Sequence, residues 1–469
     1  MTAPSADRSP ARPAGGSIST LSTVAIGVGG MMGAGLYTLV GLAATTAGVW
    51  VPLSFAVAAV VALFSVYSYA RLGAVFPSRG GAAQFLLHGF GNGIVSGGLN
   101  VFQFLGWVIA MSLYAEGFAG YASDLLPGHA SAVEVKGIAV GLIAVMVVVN
   151  LIGTKVVGRS ETIVIGVELV ILAIFVVIGL TKADVGHLSA AGGDGPIGVL
   201  FGAGLLYVTF EGFGVMTNSA GAMRNPARQL PRAMYLALAI VLTVYVLVST
   251  VVVLVLRLPA IDAAQGHVLA EAGQAVAGRA GYVTVGAAAL LATASAVNAT
   301  LFGDANLAYQ AARDGQLPAV FARRVWPGAP ASLFIAAGLT AVMVLVFPLA
   351  AAGQMASLAF LIVYGMVSVG HLRIRGQTGA RPGLLLTAVA LNAALFILLL
   401  GYTIHTGPIS TPLTLIGTLA FSFAFEALYL RRRDRPHRYR PAEDSTMPDQ
   451  SHPQAPADPH SADAEHAGP

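Results

Sequence analysis

The sequence has no cysteine and very few charged residues. The absence of cysteine excludes disulfides, thiolate metal sites and cysteine nucleophiles. Charged residues make up 10% of the chain, whereas an ordinary soluble domain carries about 25%. The chain also lacks the H-E-x-x-H, G-x-S-x-G and G-x-x-x-x-G-K-[ST] motifs, so it offers neither a catalytic constellation nor a nucleotide-binding loop. We therefore expect no enzyme, no primary pump, no cofactor and no metal site.

Apolar residues make up 56% of the 469 residues. They form runs of about 20 residues, each long enough to cross a ~30 Å hydrocarbon core as a helix. The pattern predicts an all-α membrane protein with twelve transmembrane helices, here called spans 1 to 12. Their approximate centres are Met31, Val61, Leu105, Ala144, Leu169, Leu206, Val246, Ala294, Ala337, Ala359, Leu395 and Phe421.

The positive charges predict how the spans are oriented. With the N-terminus inside, all but four of the 25 Lys and Arg residues fall on the inner side. The positive-inside rule then places both termini in the cytoplasm and the protein in the cytoplasmic (inner) membrane. Residues 1–19 and 436–469 are polar and are predicted to be disordered cytoplasmic ends. The formal charge of +4 reflects this topology and gives no indication of nucleic-acid binding.

Spans 1 and 6 carry glycine clusters inside otherwise apolar runs, in AIGVGGMMGAGLYTLVG and LFGAGLLYVTFEGFGVMTN. Glycine costs roughly 1 kcal/mol relative to alanine in a helix interior, so such clusters need a reason. One explanation is close helix packing of the small-xxx-small type, which Gly29 and Gly33 would satisfy. The other is local unwinding, as in the first helix of each half in transporters built from two inverted repeats.

The spacing of the two clusters, five spans apart, favours unwinding. Residues 20–182 and 195–375 would be two five-helix inverted repeats, and residues 383–431 two further helices, within a transmembrane domain of residues 20–435. Unwound backbone must face a polar cavity, where half-helix N-termini suit a carboxylate and exposed carbonyls suit an ammonium group or a cation. We therefore predict breaks near residues 30–35 and 210–214, facing one another across a central cavity that binds an amino acid or related amine.

Several segments resemble the amino acid–polyamine–organocation (APC) permease superfamily. TFEGFGVMTNSAGAMRNPARQLPRAM is similar to the family's "Y-E-G-F … N … E-x-x-N-P … x-x-P-R-A" pattern, and GAGLYTLVG resembles "G-x-G-I-F-x-x-P-G" in its first helix. PSRGGAAQFLLHGFG, NLIGTK and NATLFGDANLAYQAARDGQLP resemble segments after span 2 and at the ends of spans 4 and 8. The likeness covers roughly residues 20–435 in the expected order.

The resemblance implies a secondary transporter that moves amino acids or related amines by alternating access, through proton-coupled symport or exchange. Its partners would be a small-molecule substrate, the lipid bilayer and a coupling proton or cation. Backbone groups of span 1 would bind the substrate carboxylate, and span 6 would supply the facing wall with aromatic gates. The implied substrate-binding residues are Gly29, Gly30, Met32, Gly33, Ala34, Gly35, Phe210, Glu211, Gly212 and Phe213.

The sequence departs from the family pattern at several places. Val40 stands where span 1 of the family has proline, no acid precedes the N-P pair of span 6, and Asn306 replaces an arginine. Many proton-coupled or exchanging members carry a lysine in span 5, where this chain has Glu168. A lysine-based coupling scheme therefore does not transfer.

Acidic residues in or near the spans are candidate functional groups, because an acid at the membrane centre costs at least ~2.5 kcal/mol on insertion scales. They are Glu116, Glu168, Glu211, Asp304 and Glu426. We expect Glu116 and Asp304 to lie near the interfaces, and Glu426 to be a terminal charge near Arg431.

The coupling-ion candidates are Glu168, Thr293 and Ser295. Glu168 has three open roles: a neutral proton carrier, an ionised partner of a substrate amine or cation, or an acid hydrogen-bonded to a neighbouring helix. Thr293 and Ser295 supply hydroxyls of the kind that a sodium site needs, although such residues also pack ordinary helices. A channel is disfavoured because the two halves are unlike. A transporter-like sensor and a permease for another organic cation stay open.

Overall fold

The computed structural model describes residues 18–78, 80–125, 130–152, 154–189, 192–326 and 329–431. The predicted disordered ends therefore lie almost wholly outside the described residues. The helices are α1 Thr20–Ala47, α2 Val51–Val75, α3 Gly81–Phe90, α4 Ile94–Leu125, α5 Ala132–Ile152, α6 Thr154–Thr181, α7 Gly195–Leu206, α8 Phe213–Met216, α9 Pro226–Val255, α10 Leu258–Ala264, α11 Val268–Arg313, α12 Ala331–Val346, α13 Leu349–Thr378, α14 Pro382–Thr406 and α15 Ser410–Arg431. A short hairpin pairs β1 Arg324–Trp326 with β2 Ala329–Pro330.

Within the described ranges, ten segments are long and apolar enough to cross a membrane. One of them, Thr20–Val75, contains both α1 and α2, and α12 is a shorter apolar helix. All twelve predicted span centres fall inside helices. Ten membrane-length segments confirm the all-α membrane class, and twelve crossings stay a prediction.

Local sequence explains where several helices begin. Ser19 caps α1, its side chain accepting a hydrogen bond from the backbone N–H of Ser22 at 3.1 Å. Proline lies in the first turn of α7, α9 and α14, where its missing N–H costs nothing and its fixed φ suits the helix.

Span 1 is continuous. α1 runs without interruption from Thr20 to Ala47, so the predicted break near residues 30–35 is wrong for this structure. The glycines of α1 serve close packing instead: a Cβ atom on Gly33 would lie 2.2 Å from Ala296 Cβ, and one on Gly35 2.4 Å from Thr209 Cβ.

The α-helical hydrogen-bond pattern of span 6, Gly195–Ala222, is interrupted near the predicted place, although the backbone there keeps right-handed helical geometry. α7 ends at Leu206, and a 3-10 helix, Tyr207–Phe210, follows it. A turn at Glu211 and Gly212 leads into the single helical turn α8 and a second 3-10 helix, Thr217–Ala222. The chain thus changes its hydrogen-bond pattern where the sequence combines a carboxylate with glycines.

α11 consists of two helices joined at a kink. Ala277 and Gly278 leave helical geometry, and Gly278 has φ of +63°. That left-handed backbone favours glycine. A short helix of residues 268–276 therefore precedes span 8, much as the short helix α3 precedes span 3.

Helices at corresponding positions of the two predicted repeats pack against each other. α1 packs on α7, α2 on α9, α4 on α11 and α5 on α12. α6 packs on α1, α9 and α11, and α13 contacts α7, α2 and α4. α1 and span 6 lie at the centre of this bundle, while α14 contacts α2 and α13, and α15 contacts α4 and α13.

Candidate substrate and coupling site

The irregular backbone of span 6 is satisfied by hydroxyl groups from other helices. Within the turn, Glu211 N donates to Val208 O at 3.1 Å and Gly214 N to Glu211 O at 2.8 Å. The side-chain donors from neighbouring helices are Ser357 to Gly204 O (2.5 Å), Tyr245 to Thr209 O (3.1 Å) and Tyr364 to Glu211 O (2.9 Å). Buried carbonyls outside a regular helix need such partners, so α9 and α13 hold the break in place.

Three glycines of α1 face span 6 directly. A Cβ atom on Gly27 would lie 2.3 Å from Met216 Sδ, one on Gly30 3.3 Å from Gly212 Cα, and one on Gly35 2.4 Å from Thr209 Cβ. The two helices face one another as predicted, but at this level they are in direct contact rather than separated by a cavity.

The remaining predicted residues of α1 are consistent with the same packing. A Cβ atom on Gly33 would lie 2.2 Å from Ala296 Cβ of α11. Gly29 and Met32 are buried, and the side chain of Ala34 is outside the described part of the structure. In this conformation the glycine cluster of α1 serves close packing, the first of the two explanations that the sequence allowed.

Glu211 lies in the turn of span 6 and is 1% exposed. Tyr114 of α4 donates a hydrogen bond to Glu211 Oε1. Glu211 Oε2 is buried and has no hydrogen-bond partner among the residues that the structure describes. Burying a carboxylate oxygen without a partner costs free energy of folding. The second oxygen of Glu211 is therefore placed to accept a hydrogen bond or to bind a cation.

Aromatic rings surround this turn. Phe210 and Phe213 are fully buried. The ring of Phe210 lies 5.3 Å from that of Tyr245, and the ring of Phe213 lies 4.7 Å from Tyr364 and 5.2 Å from Tyr69. These are favourable aromatic distances, and they give the acid a wall of rings that also attracts cations.

Glu168 of α6 is 2% exposed. Its Oε1 atom makes no hydrogen bond of good geometry within the described ranges, although the Tyr37 hydroxyl lies close enough to interact with the carboxyl. The carboxyl interacts electrostatically with Tyr37 and Tyr245, and Tyr245 interacts in the same way with Glu211. Both buried acids thus act electrostatically on Tyr245, whose hydroxyl donates to Met31 O of α1 at 2.5 Å.

The other coupling candidates are less distinctive. Thr293 is buried, and its hydroxyl donates to Ala289 O of its own helix at 2.6 Å. Ser295 is half-buried. An internal hydrogen bond of this kind is ordinary for a threonine in an apolar helix, so the geometry of Thr293 agrees with packing.

Comparison with known proteins identifies the family. The amino acid permease family model matches residues 18–425. The chain belongs to this family. It is therefore a multi-pass membrane protein related to transporters.

Curated relatives of the permease include proteins from bacteria, archaea and animals. It is 33% identical over 359 residues to the inner membrane transport protein YbaT of Escherichia coli, covering 76% of this chain and 83% of the relative. It is 30% identical over 421 residues to the uncharacterized protein MJ0609 of Methanocaldococcus jannaschii, covering 88% and 96%. It is 31% identical over 396 residues to human cationic amino acid transporter 4, covering 78% and 60%. The expected resemblance is thus confirmed.

Two acids of the permease lie in surroundings that the sequence did not reveal. Asp304, expected near an interface, is 1% exposed, and both its carboxylate oxygens lack hydrogen-bond partners among the described residues. Glu426, expected as a terminal charge, is fully buried, and a Cβ atom on Gly97 of α4 would lie 1.9 Å from its Oε1. The position of an acid along its own helix indicates how deep it lies in the membrane. It does not show which neighbouring helix packs against it.

Proposed function

We propose that this permease is a secondary active transporter that moves an amino acid or a related amine across the cytoplasmic membrane by alternating access. One observation carries the proposal: the turn of span 6 places Glu211 between Tyr114 and a group of aromatic rings, with one buried carboxylate oxygen left without a partner among the described residues. A substrate ammonium group would supply the missing donors and charge, and the rings would add cation–π attraction.

The helix contacts support the two inverted repeats. A two-fold axis between repeats requires every contact from one half to have a counterpart in the other. α7 packs on α2 as α1 packs on α9, and α13 packs on α4 as α6 packs on α11. Likewise, α13 contacts α2 as α6 contacts α9, and α12 contacts α4 as α5 contacts α11. This correspondence supports a five-plus-five arrangement with α14 and α15 outside it. Twelve crossings and two cytoplasmic termini are part of the proposal and rest on the apolar runs and the positive charges of the sequence.

The continuous α1 defines a closed conformation in our proposal. Binding of a substrate carboxylate by the backbone of residues 29–35 requires α1 to open there, because a regular helix uses its own N–H groups. The hydroxyl of Tyr245 already donates to Met31 O, and glycine costs the helix about 1 kcal/mol per residue relative to alanine. Both features make this stretch the place where α1 would unwind when the site opens.

The coupling step is assigned to Glu168. It is a buried acid on α6, which packs on α1, and Tyr245 links it electrostatically to Glu211. Proton uptake at one acid would change the field at the other, because charges interact strongly where water is excluded. Proton-coupled symport and substrate exchange both follow from this arrangement.

The proposal is tested by a thermal-shift screen of the purified permease. The ligands are amino acids, including cationic and branched-chain ones, the corresponding decarboxylated amines and their N-acetylated forms. A ligand at 100 times its Kd stabilises the folded state by about 2.7 kcal/mol. We expect stabilisation only by ligands that keep a free amino group, because N-acetylation removes the cation that Glu211 would bind. Stabilisation by none of these compounds would remove the proposed substrate class.

A further inference from the structure

A small cavity lies between α4, α11, the beginning of α3 and the part of span 6 that follows the turn at Glu211 and Gly212. Its polar lining consists of Gln103 and Trp107 from α4, Asn218 from the second 3-10 helix of span 6, and Thr300 and Asp304 from α11. None of the cavity-lining residues that the structure describes is Lys, Arg or His. The cavity borders the turn at Glu211 through Gly214, but neither Glu211 nor Glu168 is among its lining residues.

Three oxygen atoms in this lining lack partners. Both carboxylate oxygens of Asp304 and the Oε1 atom of Gln103 are buried without a hydrogen bond in the described part of the chain. Asp304 is 1% exposed and Gln103 2% exposed. An orphaned buried acceptor costs about 1–3 kcal/mol, and a charged one costs more. The coincidence of three such atoms at one cavity leaves a place for a ligand that is positively charged or donates hydrogen bonds.

The atoms that line the cavity indicate which kind of cation it could bind. The acceptors are oxygen atoms and carry a single negative charge, which suits a monovalent cation. Calcium takes six to eight oxygen ligands, and zinc prefers nitrogen or sulfur ligands. Among the described residues no group of three His, Cys, Asp or Glu side chains is placed to hold a metal ion.

The size of the cavity excludes a substrate molecule. It has room for about one water-sized particle, whereas pockets for small organic molecules usually measure about 300–1,000 Å³. We propose that this cavity binds one sodium ion through Asp304, Gln103 and the hydroxyl of Thr300.

An ion at this position joins both repeats. Gln103 belongs to α4, Asp304 to α11, and Asn218 to the part of span 6 that follows the break. Gly303, next to Asp304, also lies close to Val215, whose Cγ1 atom would be 3.8 Å from an added Cβ. Because Val215 and Asn218 of span 6 line the same cavity, an ion bound there would restrict the part of span 6 that follows the turn at Glu211, and loss of the ion would free it to move.

The first test measures ion binding without any transport assay. Apparent Tm of the purified permease is compared in sodium, potassium and N-methyl-D-glucamine chlorides at equal ionic strength and pH. We expect a saturable rise in Tm with sodium, and a smaller one with potassium because the cavity is small. Asp304→Asn should weaken the apparent sodium affinity at least about tenfold, the scale of one charged ligand.

The matched control is Asp262→Asn, which makes the same change at an exposed acid of α10 and should keep the sodium response. Gln103→Leu and Thr300→Val provide milder changes if Asp304→Asn does not fold, and each should also weaken the response. Equal Tm values in all three salts, or a sodium response that persists in every site variant, would overturn the proposal. If Tm does not respond to sodium, and depends on pH in the wild type but not in Asp304→Asn, the site binds a proton and the sodium proposal is wrong.

The second test uses the absence of native cysteine. Val215→Cys places a single thiol beside the cavity, and its rate of labelling by a membrane-permeant maleimide reports the movement of span 6. We expect sodium to slow labelling severalfold relative to N-methyl-D-glucamine, and this effect to disappear when Asp304→Asn is added. Equal labelling rates in the two salts would contradict the proposed hold on span 6. Since neither test uses a substrate, failure here leaves the proposed transport function to be judged separately.

Discussion

The backbones of Gly30 in α1 and Gly212 in span 6 are in direct contact. A Cβ atom on Gly212 would lie 2.4 Å from the carbonyl carbon of Gly30 and 2.5 Å from Met31 N. Such distances leave no room for any side chain. The two central helices of the permease are therefore in tight contact at the level of the predicted substrate site, and the proposed alternating access would require them to separate there.

Gly212→Ala tests this contact. The added methyl group meets backbone that cannot rotate away, so we expect overpacking to destabilise the closed conformation by about 1–3 kcal/mol, seen as a lower apparent Tm. Gly401→Ala is the control, because a Cβ atom there meets nothing within 4 Å and the replacement of a helical glycine is neutral or stabilising. Equal Tm changes in the two variants would contradict the packing described for Gly212.

The break in span 6 could be predicted from the sequence, whereas the continuity of α1 could not. Both spans contain glycine clusters, but only span 6 combines its glycines with an acid, Glu211, that a regular lipid-facing helix would not accommodate. Glycine permits unwinding and close packing equally, and the choice depends on the partner surface. For α1 that surface is the turn at Gly212, some 180 residues away in sequence.

The same limit applies to the buried acids. Burial of Glu211 and Glu168 was expected because both lie deep within apolar runs. The surroundings of Asp304 could not be predicted, because they depend on Gln103 and Asn218 from other helices. The absence of a side chain at Gly97 makes room for the carboxyl of Glu426. A single glycine in α4 does not reveal from the sequence that Glu426 packs against it.

A pH-dependent contact joins the end of α4 to the beginning of α11. His267 Nδ1 lies 3.0 Å from Asp124 Oδ2. The hydrogen bond with Asp124 raises the pKa of His267 above 6.5, against the opposing effect of burial. Because the folded-state pKa is raised, the contact stabilises the fold fully below about pH 6.5, and its contribution is lost as the pH rises through the higher folded value.

We therefore expect wild-type Tm to fall more between pH 6 and pH 9 than the Tm of His267→Gln. His405→Gln serves as the control, since His405 is exposed on α14 and its replacement should leave the wild-type pH profile unchanged. Parallel profiles for wild type and His267→Gln would show that this contact does not couple protonation to stability.

Glu168→Gln tests the coupling assignment. If Glu168 carries the proton, the variant should lose pH-driven accumulation of substrate in proteoliposomes while keeping exchange of substrate for substrate, which needs no net proton movement. If the carboxylate pairs directly with the substrate amine, the variant should instead lose a few kcal/mol of binding free energy. Glu271→Gln, at a half-buried acid in the short first part of α11, is the control. Wild-type behaviour of Glu168→Gln in both assays would leave Glu168 as an acid that only packs.

The most direct test of the central claim is counterflow of labelled amino acids and amines in proteoliposomes that contain the purified permease and excess unlabelled substrate. The account predicts transient accumulation of label by the wild-type protein, which distinguishes a transporter from a sensor with the same site. It also predicts loss of accumulation in Glu211→Gln, with substrate affinity reduced by about 3–5 kcal/mol, or more than 100-fold, as for a buried charge that loses its partner. Absence of counterflow for every compound that binds the permease, or wild-type counterflow in Glu211→Gln, would contradict the account.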